Sequence, residues 1–242
     1  MRLLVSVSNG AEALAALAGG ADIVDAKDPL AGPLGAVSSD RFCEIAHAVG
    51  GTRPVTAALG DAIGGDAIES AARATVSAGA VLVKVGFAGI CSVARATELL
   101  EAAVSGANEG GRAARDRSEL GPPGVIAVAY ADHPRATSIP AGSLTTAAAS
   151  AGVRGLLIDT FDKSGPGLRQ LLSLEELAAV VAGAHRAGLL VAVAGKLTAE
   201  DLAWVRSSGA DIAGVRGAAC DGGRTAAIAR SRVQALRHLC EA

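Results

Sequence analysis

The sequence predicts an α/β protein, a single closed (β/α)8 TIM barrel, and three observations carry that expectation. Short apolar runs alternate with Ala-rich segments of helix-forming composition, and eight such pairs fit along the chain. The runs consist of Val, Ile, Leu and Ala with little polar alternation, as strands buried on both faces of a parallel sheet require. The length, 242 residues, suits one barrel domain over 1–242 with no linker. An open doubly wound sheet is the second choice.

The elements follow in order. Strand Leu3–Val7 precedes helix Ala11–Ala18, and Asp22–Lys27 precedes Ser39–Val49. Val55–Leu59 leads to Ala67–Ala78, and Val81–Phe87 to Ser92–Val104. Val125–Ala131 leads to Ser143–Ala151, and Gly155–Asp159 to Leu174–Ala187. Leu189–Ala194 with Ala199–Ser207, then Asp211–Val215 with Thr225–Leu239, complete the set. A faint repeat supports this reading. GGADIVDAK, SAGAVLVKVG, SAGVRGLLID and SSGADIAGVRG each run from helix end through Gly and a small residue into a strand. The Gly stops the helix in a left-handed conformation. The polar, Gly/Pro-rich stretch Asn108–Pro123 is expected as an exposed excursion between helix and strand, on the face away from the chemistry.

Composition excludes several function classes. The chain is 50% hydrophobic, which rules out disorder. Net charge is −2, so no bulk electrostatics draws it to nucleic acid or to an anionic membrane. Aromatics make up 2%, which also argues against base stacking. Cys43, Cys91, Cys220 and Cys240 show no metal-binding spacing and are expected as reduced thiols. No metal is expected. Asn9 and Glu12 interrupt the apolar start, and His185 and Arg186 break the most apolar later stretch. The expectation is a cytoplasmic protein with no membrane partner. No HExxH, GxSxG, P-loop or GxGxxG appears, which weakens hydrolase, kinase and dehydrogenase readings.

The lysines carry the most information. Basic residues number 22, yet only Lys27, Lys84, Lys163 and Lys196 are Lys. All four fall at or near the C-terminal ends of predicted strands 2, 4, 6 and 7, the face where a barrel holds its active site. A lone Lys at a strand end is as readily a snorkelling surface residue. Four together, in a chain whose surface is otherwise served by Arg, point to amine chemistry. A Lys amine can lose its proton near neutrality and form a Schiff base, which Arg cannot. Asp25 and Lys27 are two apart and share a face. Strands 2, 4 and 6 feed common interior layers, so Lys27 and Lys84 can approach across the mouth with Asp159 nearby. Asp159 and Lys163 form a second carboxylate–amine set in DTFDK. Asp61 and Asp132 occupy similar strand ends, where turn capping serves equally well as an explanation.

The last two βα loops read AGKLT and GVRGAACDGGR. Barrels frequently bind phosphate there, through backbone N–H groups near Gly. Gly195, Lys196, Arg216 and Gly217 are the candidate phosphate-binding residues, with Arg216 supplying a fork. Cys220 has no His near it in sequence and reads as a packed thiol. His133 is the one His at a strand end, where it can touch substrate.

DIVDAKDP (22–29), VKVGF (83–87), AYAD (129–132), LIDTFDK (157–163), AGK (194–196) and DIAGVRGAAC (211–220) together resemble the (5-formylfuran-3-yl)methyl phosphate synthase family, from first strand to last helix. The resemblance implies a TIM barrel that makes a furan phosphate from two molecules of glyceraldehyde 3-phosphate, toward methanofuran-type carriers. It implies Lys27 as Schiff-base former and Lys84 as proton acceptor, with Asp25, Asp159 and Lys163 in support. On this expectation a triose ketone forms an imine on Lys27, and its enamine adds to a second aldehyde. Asp159 and Lys163 assist dehydration and phosphate departure. Arg216 and the loops at Gly195 and Gly217 hold the retained phosphate. Loss of one phosphate and two waters from two trioses needs no redox, so no cofactor is expected. The partner is a small triose phosphate, and a homo-oligomer is one assembly the chain allows. Competing readings are a Schiff-base aldolase or isomerase on another phosphosugar, and a non-catalytic phosphosugar-binding barrel.

Overall fold

The computed structural model describes residues 1–112 and 119–241. Eight strands close into a barrel in chain order: β1 (Arg2–Val7), β2 (Ile23–Ala26), β3 (Val55–Asp61), β4 (Leu82–Gly86), β5 (Gly124–Tyr130), β6 (Gly155–Asp159), β7 (Leu190–Val193) and β8 (Ile212–Val215). Every neighbouring pair is parallel, including β8 against β1. The helices are α1 (Gly10–Ala18), α2 (Ser39–Val49), α3 (Gly65–Ser77), α4 (Val93–Gly111), α5 (His133–Ala136), α6 (Ala141–Ser150), α7 (Leu168–Leu171), α8 (Leu174–Arg186), α9 (Asp201–Ser207) and α10 (Arg230–Glu241).

Strand alternation makes two cores. Outward residues such as Leu3, Val5, Val83, Val85 and Val191 pack under the helices with Ile45, Leu99, Leu177 and Val205. Inward residues form a separate cluster with Leu4, Ile23, Leu82, Ile126, Leu157 and Ile212. That inner cluster floors the barrel below the polar layer described next.

The elements differ from the sequence expectation in three ways. The loops after β5 and β6 carry the short helices α5 and α7, which no apolar periodicity announces. The last helix begins at Arg230 and not Thr225, because Cys220 and Ile228 form an antiparallel bridge that holds the preceding loop extended. Third, α4 runs on to Gly111, so Asn108–Gly111 are helical. Residues 113–118 of the expected excursion lie outside the described residues. Its far flank leads into β5 at the N-terminal end of the barrel, where Arg154 donates to the Leu120 carbonyl at 3.0 Å.

The extension of α4 has a packing cause. Gly106 and Gly110 are four apart and share one face. A Cβ at Gly106 would lie 2.0 Å from the Glu69 carbonyl oxygen, and one at Gly110 2.5 Å from that of Arg73, both on α3. Arg73 also pairs with Glu109 at 2.8 Å. Among the described residues no helix is long and apolar enough to cross a membrane.

Gly106→Ala tests this packing. Helix propensity alone would favour Ala by about 1 kcal/mol. The clash with α3 backbone opposes it, and overpacking of this kind costs about 1–3 kcal/mol. The expected outcome is a lower urea midpoint for Gly106→Ala, whereas Ala substitution of exposed, helical Gly142 leaves it unchanged or higher.

Candidate active site

The polar layer sits on the inner floor at the C-terminal end of the barrel. Asp25 of β2 and Lys84 of β4 both point inward and are buried. The Lys84 ammonium pairs directly with Asp25 Oδ1. Ser6 Oγ donates to Asp25 Oδ2 at 2.8 Å and Thr56 Oγ1 to Asp25 Oδ1 at 2.7 Å. β1 and β3 flank β2 in the sheet, so their inward hydroxyls reach this carboxylate from either side.

Asp159 ends β6 and is also buried. Its Oδ1 accepts from Lys163 Nζ at 2.6 Å and from the Thr160 N–H at 2.7 Å. Its Oδ2 is buried and has no hydrogen-bond partner among the described residues. Burial pushes this carboxyl up, but Lys163, Lys27 and the Thr160 bond outweigh burial, so it is held below its usual value.

Lys27 follows β2 and stands 3.8 Å from that unpartnered Oδ2, too far for a hydrogen bond. Its side chain is 12% exposed. Burial brings its amine down to about 8; Asp159 opposes the shift, and Lys163 and Lys84 add to it. The five residues the sequence groups as catalytic, Lys27, Lys84, Asp25, Asp159 and Lys163, are therefore brought together, as two carboxylate–amine pairs with Lys27 beside them.

A cavity of about 560 Å3 runs from the loops at the C-terminal end past this layer into the barrel interior, where Leu4, Ile23, Leu82 and Ile126 also line it. Small residues make the room. Ala192 and Ala194 of the β7 segment and Gly214 of β8 line one side, where larger side chains would fill the barrel. Lys27, Lys84, Asp159 and Lys163 all line the cavity.

The loops after β7 and β8 form its upper wall. Gly195 (φ +102°) and Lys196 (φ +60°) take left-handed backbone. The Lys196 ammonium donates to the Gly165 carbonyl. Gly217 opens a 3₁₀ turn, Gly217–Ala219, whose first N–H groups have no acceptor within the turn. Arg216 departs from its expected role as an anion fork. Its five N–H donors all go to protein: Nε to the Arg224 carbonyl (2.7 Å), Nη1 to Ser6 O (3.0 Å) and Glu12 Oε2 (2.9 Å), Nη2 to Glu12 Oε1 (3.1 Å) and Ala226 O (3.4 Å). It is a strut that ties β1, α1 and the β8 loop together.

This architecture has known counterparts. The chain matches the 4-HFC-P synthase family over residues 3–237. It is 38% identical over 244 residues to (5-formylfuran-3-yl)methyl phosphate synthase of Methanosarcina mazei, covering 100% of both chains. It is 39% identical over 243 residues to the enzyme of the same name from Methanopyrus kandleri, covering 100% of this chain and 98% of that one. The chain belongs to the 4-HFC-P synthase family. Among solved structures, 3-hexulose-6-phosphate synthase superposes with a TM-score of 0.64 at 19% identity, covering 99% of each chain. KGPDC from Streptococcus mutans gives 0.66 at 14% identity, covering 99% of this chain and 97% of that one. Both likenesses show the barrel fold.

Two site residues of this 4-HFC-P synthase family member escape sequence reasoning. Glu12 lies on α1 and meets Arg216 only through the fold, with no local signal. Arg224 lines the cavity and bonds the Gly32 carbonyl through Nη2 at 2.9 Å, and its other donors have no partner among the described residues. Burial lowers its pKa. The GGR of the β8 loop was its one sequence cue. Ser6 and Thr56 were missed as well, and the signal that could have found them is that each is a polar residue at an inward position of an apolar strand.

The remaining candidates hold loops. Asp61 accepts from Tyr130 Oη at 2.8 Å and the Ala88 N–H at 2.9 Å. Asp132 accepts from the N–H groups of Phe161 (2.6 Å) and Asp162 (2.9 Å), fixing the loop that carries Lys163. Cys220 is buried, and burial pushes its thiol up, as a packed thiol requires. His133 opens α5 and does not line the cavity.

Glu12→Ala measures the strut. Burial pushes the Glu12 carboxyl up, and the bonds from Arg216 and Ser8 outweigh it, so its folded value is lowered. The pair's contribution is thus present above the ordinary Glu value and is lost as pH falls through the lowered one. Removing one partner of a buried pair costs about 3–5 kcal/mol. Denaturant unfolding at neutral pH should show a loss of that size, shrinking toward acid.

Proposed function

We propose that this protein condenses two molecules of glyceraldehyde 3-phosphate into (5-formylfuran-3-yl)methyl phosphate, releasing one phosphate and two waters, through a Schiff base on Lys27. The observation that carries the reading is Lys27 itself: a cavity-lining amine near 8, beside an unpartnered carboxylate oxygen. A deprotonated amine attacks a carbonyl carbon, and the resulting iminium is an electron sink for proton removal next door.

The product's connectivity refines the expected order of steps. An enamine of the triose ketone adding to an aldehyde joins two terminal carbons and yields an unbranched chain. The product carries its phosphomethyl group as a branch at ring carbon 3. Its new bond therefore joins the middle carbon of one triose to a terminal carbon of the other. That terminal carbon lies opposite the surviving formyl group, so it is the one that bore the lost phosphate.

We assign the Lys27 imine to the triose that loses phosphate. Its C2 proton passes to Lys84, which has given its own proton to Asp25 Oδ1. The electron pair becomes a C=C bond as the C3–O bond breaks, and the phosphate leaves with that oxygen and its pair. The new enol carbon attacks the middle carbonyl carbon of the ketone isomer. That triose's terminal hydroxyl closes the ring on C2 of the first. Two waters depart, with Lys163 and Asp159 moving protons, and hydrolysis frees the formyl group from Lys27. Carbon oxidation levels balance without a nicotinamide or flavin. The backbone at Gly195 and Gly217, with Lys196, holds the retained phosphate.

Purified protein given glyceraldehyde 3-phosphate alone should produce furan absorbance and one phosphate per two trioses. Triose isomerisation without furan would favour the generic Schiff-base barrel. Borohydride should trap substrate on Lys27, located by peptide mass, and Lys27→Arg should abolish both the adduct and turnover despite the kept charge. Because the neutral amine attacks, kcat/KM should rise with pH along an acid limb centred near 8. A limb centred above 10 would contradict the burial argument.

A further inference from the structure

A second hollow, of about 510 Å3, lies at the same end of the barrel, beyond the catalytic layer. Its walls come from the loop after β2 (Pro29, Leu30), from α5 (Arg135), from the β6 loop (Asp162, Lys163) and from the β8 loop (Arg224). Lys163 and Arg224 line both this hollow and the inner cavity, so two cations form the boundary between the spaces.

The charge of the outer hollow is unbalanced. Arg135, Lys163 and Arg224 face it against one carboxylate, Asp162. That carboxylate is already saturated. It accepts from the Ser164 N–H at 2.9 Å, Ser164 Oγ at 2.6 Å and the Gly165 N–H at 3.1 Å, and pairs with Arg135. These bonds hold its carboxyl down at about 2, so it stays ionised and occupied. Arg135 bonds Asp162 through Nη1, and Arg224 bonds Gly32 through Nη2. Their remaining N–H donors have no partner among the described residues. Two guanidinium groups with spare donors on one concave surface suit a phosphate dianion.

We infer that the outer hollow is a second anion subsite, which holds the phosphate that leaves. The inference rests on the two-triose reading above. Two phosphoesters enter the reaction and one is retained throughout, so the protein has two phosphates to place at once. The departing one breaks its C–O bond and carries the pair away as inorganic phosphate. Lys163, bonded to Asp159 and facing the hollow, stands between the reacting carbon and the exit. The open rim of the hollow gives the product a path to solvent that does not pass the retained phosphate.

Inorganic phosphate is the probe, and Arg135→Gln the principal variant, since Arg135 touches nothing in the inner cavity. Calorimetric titration should find two phosphates bound per wild-type chain and one in Arg135→Gln, with Arg135→Lys restoring part of the second. Wild-type binding of one phosphate only, or equal binding by Arg135→Gln, overturns the subsite. In turnover, Arg135→Gln should raise the triose phosphate concentration for half-maximal rate about tenfold or more. Product inhibition by phosphate should weaken in parallel, while the Lys27 borohydride adduct persists. An unchanged melting temperature separates these effects from misfolding. If the wild type makes no furan, the two-triose reading fails, and the titration still decides whether the outer anion subsite exists.

Discussion

Three amines share two carboxylates inside this barrel, and that shortage organises the site. Lys84 takes Asp25, and Lys163 takes Asp159 at 2.6 Å. Lys27 is left with the far oxygen of Asp159 at 3.8 Å. In a medium that solvates charge poorly, the amine without a close counter-ion is the one whose proton costs most to keep. Its neighbours Lys84 and Lys163 add repulsion. The two satisfied pairs therefore do more than hold strands in place. They set the protonation state of the third amine by leaving it out.

The rest of the molecule keeps that arrangement dry and open at once. Asp25 can be buried because Ser6 and Thr56 complete its hydrogen bonds from the neighbouring strands. Leu4, Ile23, Leu82 and Ile126 below it give the deep part of the cavity an apolar wall. Above, Ala192, Ala194 and Gly214 withhold bulk where a substrate has to lie. Tyr130 and Phe161, which meet edge to face at 5.4 Å, stay out of the lining of that cavity. Farther out, Arg216 locks β1, α1 and the β8 loop together, its donors divided between Glu12 and the carbonyls of Ser6, Arg224 and Ala226.

Much of the fold was legible because strand and helix periods are local properties. The βα repeats located all eight strands to within one or two residues. The clustering of the candidate catalytic residues was legible for a different reason. Side-chain alternation fixes which residues face inward, and barrel layering relates alternate strands, so Asp25, Lys84 and Asp159 follow from parity. What failed was partner choice. Nothing near Arg216 in sequence says that Glu12, some two hundred positions earlier, will occupy its fork. Donor counting needs coordinates. The length of α4 was misjudged because the polar, Gly/Pro-rich stretch from Asn108 reads as an excursion, when Gly106 and Gly110 are the residues that let α4 lie against α3.

The family name itself constrains the chemistry more tightly than the site does. On the proposed two-triose reading, a phosphomethyl group at ring carbon 3 and a formyl group at ring carbon 5 assign three carbons to each triose and decide which phosphate is lost. In the proposed route that phosphate leaves a carbon that then becomes part of the ring, so departure precedes ring closure. The molecule is built in keeping with that order. Its deepest cavity carries the amines and an apolar floor, and its outer hollow carries guanidinium groups and an open rim. In the proposed reaction the leaving anion moves from Lys163 toward Arg224 and Arg135, from the enclosed cavity to the open rim, because guanidinium donors and solvent together stabilise a free dianion better than the apolar interior does. The proposed site of the retained ester, under the loops of β7 and β8, lies on the opposite side of Lys163 and Arg224.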